Sequence, residues 1–140
     1  MNEDALQTLL DDLSFIDQWE DRYRYVIELG QQLPDLDPQE CIDANKVQGC
    51  VSQVWLVSDI VDTPQGREVH FKGQSDAHIV QGLIAIALKL FSGVKAEALA
   101  EADLFATMAR LGLSDHLTAQ RSNGLKALLN KMQAIARDAQ

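Results

Sequence analysis

One β-rich stretch between helical patterns limits the fold of this chain more than any other feature. From Val51 to Val61, β-branched and aromatic residues form a run typical of a strand that is apolar on both faces for part of its length. Thr63-Pro64-Gln65-Gly66 is a turn sequence. From Arg67 to Gly73 apolar and polar residues alternate, which directs Val69 and Phe71 inward. Together these segments predict one antiparallel hairpin.

Helical patterns precede and follow this hairpin. Apolar spacing predicts a helix over Leu6–Leu13 behind a cap at Asn2 or Asp4, and a second helix from Trp19 that ends before Pro34. After the hairpin, the pattern predicts a strong helix capped by Ser75 or Asp76 and ending at Gly93, two short helices split near Asp103, and a last helix capped by Thr118. Because strands do not alternate with helices, we predict an α+β fold, a small antiparallel β-sheet packed by helices, in a single domain over residues 1–140.

Charge is unevenly distributed along the chain. The 12 basic and 21 acidic side chains give a net charge of −9, which argues against binding to nucleic acid or to an anionic membrane surface. Residues 1–43 carry −10 and residues 44–140 carry +1. The acidic segment has two interpretations, a solvated helical face or a docking surface for a more basic partner.

The same sequence bears on the compartment. Two cysteines are too few for a disulfide framework, and residues 1–20 show no basic segment followed by an apolar run. Apolar runs stay well short of the roughly 18 residues that a membrane-spanning helix needs. We therefore expect a cytoplasmic protein.

Cys50 is the strongest candidate for chemistry. It lies where a long polar loop, residues 34–49, meets the predicted first strand, and Gly49 before it can adopt a positive φ. A thiol in that position can be presented to a partner. A reactive thiol needs a lowered pKa, and Lys46 is the nearest cation in the sequence that could lower the pKa of Cys50. The alternative is a buried cysteine that acts as a small hydrophobic residue.

Weaker candidates surround it in the sequence. Cys41 lies beside acidic residues, which raise a thiol pKa, and a metal site would have to combine Cys41 and Cys50 with a histidine, without the short ligand spacing of zinc sites. The three histidines, His70, His78 and His116, are most simply surface or capping residues, and Trp19 and Trp55 are most simply core residues.

Two charged residues complete the candidates. Asp76 is most simply a helix cap. Arg121 falls in the first turn of the last predicted helix, where its charge opposes the helix dipole. A carboxylate or another anion nearby would explain that placement.

Several segments, in the same order along the chain, resemble the SufE family of cysteine desulfuration proteins. The segments are Gly49-Cys50-Val51-Ser52-Gln53-Val54-Trp55, Trp19-Glu20-Asp21-Arg22-Tyr23, Glu28 to Pro34, Gly73 to Ala77 with Ile79 to Leu83, and Leu111-Gly112-Leu113 through His116-Leu117 to Arg121-Ser122-Asn123-Gly124-Leu125. The resemblance covers nearly the whole chain. It departs from the family at Val51, where many members have glutamine.

The resemblance implies a fold shared with the IscU/NifU-type scaffolds and a role as sulfur acceptor. Cys50 would take persulfide sulfur from a pyridoxal-phosphate-dependent cysteine desulfurase of the SufS or CsdA kind, stimulate that enzyme, and pass the sulfur to an iron–sulfur scaffold. Gly49, Gln53, Asp76 and Arg121 would position the loop or dock the partner, with Asp76 and Arg121 paired or flanking Cys50. The chain would be an accessory carrier, a possible homodimer, with no cofactor or metal of its own.

The competing hypothesis is a scaffold of the related fold. Such a protein would hold a metal or an iron–sulfur cluster through Cys41, Cys50 and a histidine. The absence of closely spaced ligand pairs in the sequence disfavours it.

Overall fold

The structure, a computed structural model, describes residues 1–113 and 117–140. In chain order the elements are α1 (Glu3–Ser14), α2 (Trp19–Gln31), a 3-10 turn (Asp43–Asn45), β1 (Val54–Thr63), β2 (Gly66–Ser75), α3 (His78–Phe91), β3 (Val94–Lys95), α4 (Ala96–Glu101), α5 (Leu104–Ala109) and α6 (Ala119–Ala139). The α+β prediction is confirmed. The prediction for His116 lies outside the described residues.

Side-chain hydrogen bonds connect the first two helices. Of the two predicted caps for α1, Asn2 takes the role, because its side-chain oxygen accepts from Ala5 N at 3.3 Å. The side chain of Arg22 donates through Nε to Ile16 O at 2.7 Å, just beyond the end of α1. The Tyr25 hydroxyl donates to Asp12 Oδ2 at 2.7 Å, which ties α2 to α1 a second time.

The sheet has the order β1-β2-β3 and is antiparallel throughout. Thr63 pairs with Gly66, so the hairpin turns through two residues, and Val69 and Phe71 are buried as predicted. The first strand begins at Val54 and not at Val51, because its pairing ends where Val54 meets Ser75, the last residue of β2. The strand β3 was not predicted, since two residues show no period.

Strand alternation also corrects the assignment of Trp55 to the core. Val54 and Leu56 on either side of it are buried, so the Trp55 side chain points to the opposite face of the sheet and is only half-buried. Trp19, in contrast, packs against the core cluster as predicted.

Helix α3 is the central element of the core. It packs against α2, β2, α1 and α6, and most of its residues from Ile79 to Phe91 are buried. The predicted cap is wrong: the helix begins after Ala77 without a side-chain cap. Asp76 is instead engaged by the backbone of Gln53, and the Ser75 hydroxyl accepts from Ala77 N.

The last three helices agree with their predicted positions. Asp103 caps α5, and the Thr118 hydroxyl accepts from Arg121 N at 3.2 Å to cap α6. Arg67 on the hairpin donates to Ala139 O at 3.0 Å and holds the far end of α6. Near the other end of α6, Gly124 contacts Cys50 in the loop that precedes β1. Across the described residues, no helix is long and apolar enough to cross a membrane.

Candidate active site around Cys50

Cys50 is carried by a short loop with a closed base. Val47 N donates to Val54 O at 2.8 Å, and Lys46 forms a β-bridge with Trp55, so residues 48–53 project from this base as one loop. Near the start of the loop Gly49 has φ +92°, a conformation that other residues rarely adopt. The predicted role of Gly49 in shaping the loop stays a prediction, and this backbone conformation favours it.

The thiol lies at the edge of a cavity between this loop, α3 and the first turns of α6. The cavity has a volume of about 260 Å³. Its walls are mainly aliphatic, and the residues that supply them are Val54, Val80, Leu83, Ile84, Leu125 and Leu128. Ser52, Thr118, Gln120 and Arg121 add polar groups to the lining. A group of a few atoms attached to Cys50 would therefore meet mostly hydrocarbon.

The immediate partner of the sulfur is α6. Cys50 Sγ donates to the Gly124 carbonyl at 3.5 Å, a weak S–H···O contact. A Cβ on Gly124 would lie 3.4 Å from Sγ, which is an ordinary van der Waals contact. Partial burial raises the pKa of the Cys50 thiol above its ordinary value. Burial therefore favours the neutral thiol over the thiolate.

Two features at the cavity favour an anion. The N-terminus of α6, a helix of 21 residues, lies there, since Thr118 and Gln120 are among the lining residues. Arg121 is in the same first turn and also lines the cavity. The lining of the cavity therefore includes the positive end of a helix dipole and a cationic residue.

The two charged residues that were predicted to pair or to flank Cys50 have different partners in the structure. Arg121 lines the cavity with Cys50, and its guanidinium lies over the Tyr23 ring, 5.8 Å from the ring centre. Within residues 1–113 and 117–140, no ion pair joins it to Asp76. The contact with Tyr23 was missed, although Trp19 and Tyr23 four residues apart in a predicted helix signal an aromatic face.

Asp76 holds the other end of the Cys50 loop. Its Oδ1 accepts from Gln53 N at 3.0 Å, and its own N–H donates to Gln53 O at 3.3 Å. Gln53 thus contacts Asp76 through its backbone N–H and carbonyl. Val51, which lies in the loop between Gly49 and the hydrogen bonds at Gln53, is 77% exposed although it is a large apolar residue.

The remaining candidates lie apart from a common site. Cys41 is half-buried in the loop before the 3-10 turn, and His70 contacts Glu68 at 3.0 Å on the outer face of the hairpin. His78 is exposed at the start of α3. Among the residues whose placement is described, no group of three or more His, Cys, Asp or Glu side chains is arranged to hold a metal ion.

Comparison with known proteins gives one consistent family. Residues 7–136 match the family model described as "SufE: Fe-S metabolism associated domain". An uncharacterized SufE-like protein of Rhizobium meliloti (strain 1021) is 45% identical over 132 residues, 94% of each chain. Another uncharacterized SufE-like protein, from Rhizobium etli, is 46% identical over 133 residues, which is 95% of this chain and 90% of the relative.

A solved structure supports the fold independently. The solution structure of a hypothetical protein from Thermus thermophilus superposes with a TM-score of 0.73 and covers 96% of this chain and 95% of its own. At 22% sequence identity this likeness concerns the fold alone.

Proposed function

This chain belongs to the SufE family, whose domain is associated with iron–sulfur metabolism, and from that premise we propose that Cys50 is a persulfide carrier. In this proposal the protein accepts sulfur from a pyridoxal-phosphate-dependent cysteine desulfurase in the cytoplasm, stimulates that enzyme, and delivers the sulfur to an iron–sulfur scaffold. The observation that carries the proposal is the placement of Cys50 on a projecting loop at the edge of an aliphatic cavity.

The proposed reaction is thiol–persulfide exchange. The Cys50 thiolate attacks the terminal sulfur of a cysteine persulfide on the desulfurase, a new S–S bond forms on Cys50, and the old S–S bond breaks. The desulfurase cysteine leaves as a thiolate and takes up the proton that Cys50 gave up. One sulfur atom changes carrier: the Cys50 sulfur is oxidised from thiol to persulfide while the desulfurase cysteine is reduced back to a thiol, so the exchange needs no external oxidant or reductant.

The two sides of the Cys50 loop suit the two requirements of a carrier. A persulfide folded toward Val54, Leu83 and Leu125 would be shielded from water-borne reductants by hydrocarbon. Transfer needs the opposite state, in which the sulfur reaches a partner's cysteine. A loop closed at Val47–Val54, with a glycine in the left-handed region near its start, can make that change without disturbing the sheet.

The decisive experiment follows the sulfur. We expect the purified protein, mixed with a cysteine desulfurase and L-cysteine, to gain the mass of one sulfur atom in an intact-mass measurement and to lose it on treatment with reductant. Cys50→Ser should abolish the gain, because no other thiol of the chain lies at the cavity. Cys41→Ser is the matched control and should retain it. An unchanged gain in Cys50→Ser, or no gain in the wild type, would overturn the proposal.

A further inference from the structure

Arg121 is held in an unusual way. It occupies the first turn of α6, where the helix dipole disfavours a cation. No carboxylate in the described part of the chain forms an ion pair with it. Its observed partner is the face of the Tyr23 ring, 5.8 Å from the guanidinium carbon to the ring centre, a distance at which cation–π attraction operates.

The Tyr23 ring is itself held in place. Trp19 lies one helical turn before it on α2, and the two rings meet edge to face at a centroid distance of 6.4 Å and an interplanar angle of 70°. Both residues also pack against the hydrophobic core. The ring that Arg121 contacts is therefore part of a rigid element and not a mobile surface side chain.

This arrangement connects α2 with the cavity of Cys50. Arg121 contacts the Tyr23 ring on α2 and also lines the cavity beside Cys50. Without the ring, a long arginine side chain at the start of a helix would turn outward into water, away from the positive end of the dipole. The charge would then be too strongly screened to act on Cys50.

We propose that Tyr23 is a positioning residue for sulfur transfer: its ring holds the Arg121 guanidinium at the cavity wall, where the positive charge stabilises the Cys50 thiolate that attacks the persulfide. The inference rests on the proposed function, but the effect of Arg121 on the Cys50 thiolate can be measured in the protein without a partner. It assigns to α2 a part in the chemistry of a loop 27 residues further along the sequence.

The test uses the protein alone. In a Cys41→Ser background, the rate at which iodoacetamide alkylates Cys50 is measured as a function of pH. Tyr23→Leu should move the midpoint of the profile to higher pH and slow alkylation at neutral pH about two- to fivefold, the range that a half-exposed cation–π contact can support. Tyr23→Phe keeps the ring and should restore the wild-type profile.

A second pair of variants separates positioning from general destabilisation. Arg121→Gln should reproduce the shift, and Tyr23→Leu should add nothing to it in the Arg121→Gln background. Tyr25→Leu removes a ring from the same helix, one whose hydroxyl contacts Asp12, and should leave the profile in place. Thermal melts of each variant establish that it is folded at the assay temperature.

An unchanged pH profile in Tyr23→Leu contradicts the inference. So does a Tyr23→Leu effect that persists in full without Arg121. Neither outcome depends on a desulfurase, so the inference can fail while Cys50 still accepts sulfur, and the carrier function can fail while the profile still shifts.

Discussion

The hydrogen bonds between Asp76 and Gln53 decide how freely the Cys50 loop can move. Asp76 binds Gln53 through both its side chain and its backbone, but only the side-chain bond, at 3.0 Å, can be removed by substitution. Since Asp76 is exposed, this bond competes with water and contributes on the order of 1 kcal/mol. It therefore favours the observed conformation of the loop, here called closed, but is weak enough to break.

We expect Asp76→Ala to make Cys50 more reactive. Loss of about 1 kcal/mol from the closed state should increase the population of open loop, and hence the alkylation rate of the free protein, roughly fivefold. The measurement is the rate of Cys50 modification by iodoacetamide at fixed pH in a Cys41→Ser background. Asp76→Asn keeps an oxygen acceptor and is the matched control, with a rate near that of wild type. Equal rates in Asp76→Ala and wild type would show that this bond does not restrain the loop.

Sequence reasoning at this scale selected residues that the structure places at the Cys50 loop or its cavity, but it did not predict all of their contacts. Cys50 and Arg121 could be selected from their residue types and positions, whereas Asp76, which is most simply a helix cap in the sequence, was selected through the resemblance to the SufE family. Their partners could not be predicted, since the Gln53 N–H that Asp76 accepts and the Tyr23 ring beneath Arg121 come from elements 23 and 98 residues away in the chain. Such contacts depend on tertiary packing, which no local pattern encodes.

At the crossing of α2 and α3, the backbones of the two helices come into direct contact. Gly82 in α3 lies against the Val26 carbonyl, and a Cβ on Gly82 would come within 2.2 Å of that oxygen. Backbone atoms cannot yield as a flexible side chain can. The close approach of the two helices therefore requires glycine at this position. The same approach sets the placement of Tyr23 on α2 relative to the cavity wall on α3.

Gly82→Ala should destabilise the protein, although alanine is the better helix former. Overpacking costs about 1–3 kcal/mol or more, which exceeds the gain of about 0.5–1 kcal/mol in helix propensity. Urea unfolding monitored by circular dichroism measures the change. Gly124→Ala is the same change inside α6, where the new Cβ meets Cys50 Sγ at 3.4 Å, so its stability should equal or exceed that of wild type. A Gly82→Ala variant as stable as Gly124→Ala would mean that the crossing relaxes easily.

Periodic apolar patterns made the helices predictable. The stripes of α1, α3 and α6 each contribute to one core, and amphipathic spacing reports that burial directly. The start of β1 was placed three residues early, because Val51 has the composition of a strand but lies in the exposed loop. Strand β3 has two residues, too short for any period to register.

At the scale of the whole molecule, the negative charge is concentrated before Cys50 in the sequence, and part of it lies in the polar loop of residues 34–49. Residues 1–43 carry −10, and the polar loop 34–49 leads directly into the Cys50 loop. Within it, Leu36 is buried and its N–H donates to Gln74 Oε1 at 2.8 Å, while Asp35 and Asp37 on either side are exposed. Glu40 is held by Lys72 at 2.8 Å. The loop thus presents two carboxylates to solvent from an anchored backbone.

Reversal of both charges tests whether this surface meets a basic partner. If the proposed desulfurase approaches Cys50 across this loop, Asp35→Lys with Asp37→Lys should slow association roughly tenfold at low salt, the lower end of the range for electrostatic steering, and should flatten the dependence of the rate on ionic strength. Dissociation should change little, because exposed rim charges act mainly on encounter. Glu97→Lys with Asp138→Lys changes the net charge equally on exposed positions of α4 and α6 and serves as the control. Stopped-flow association at several salt concentrations distinguishes them: equal effects in both pairs indicate that total charge alone matters, and no effect in either returns the acidic segment to its simpler role as a solvated face.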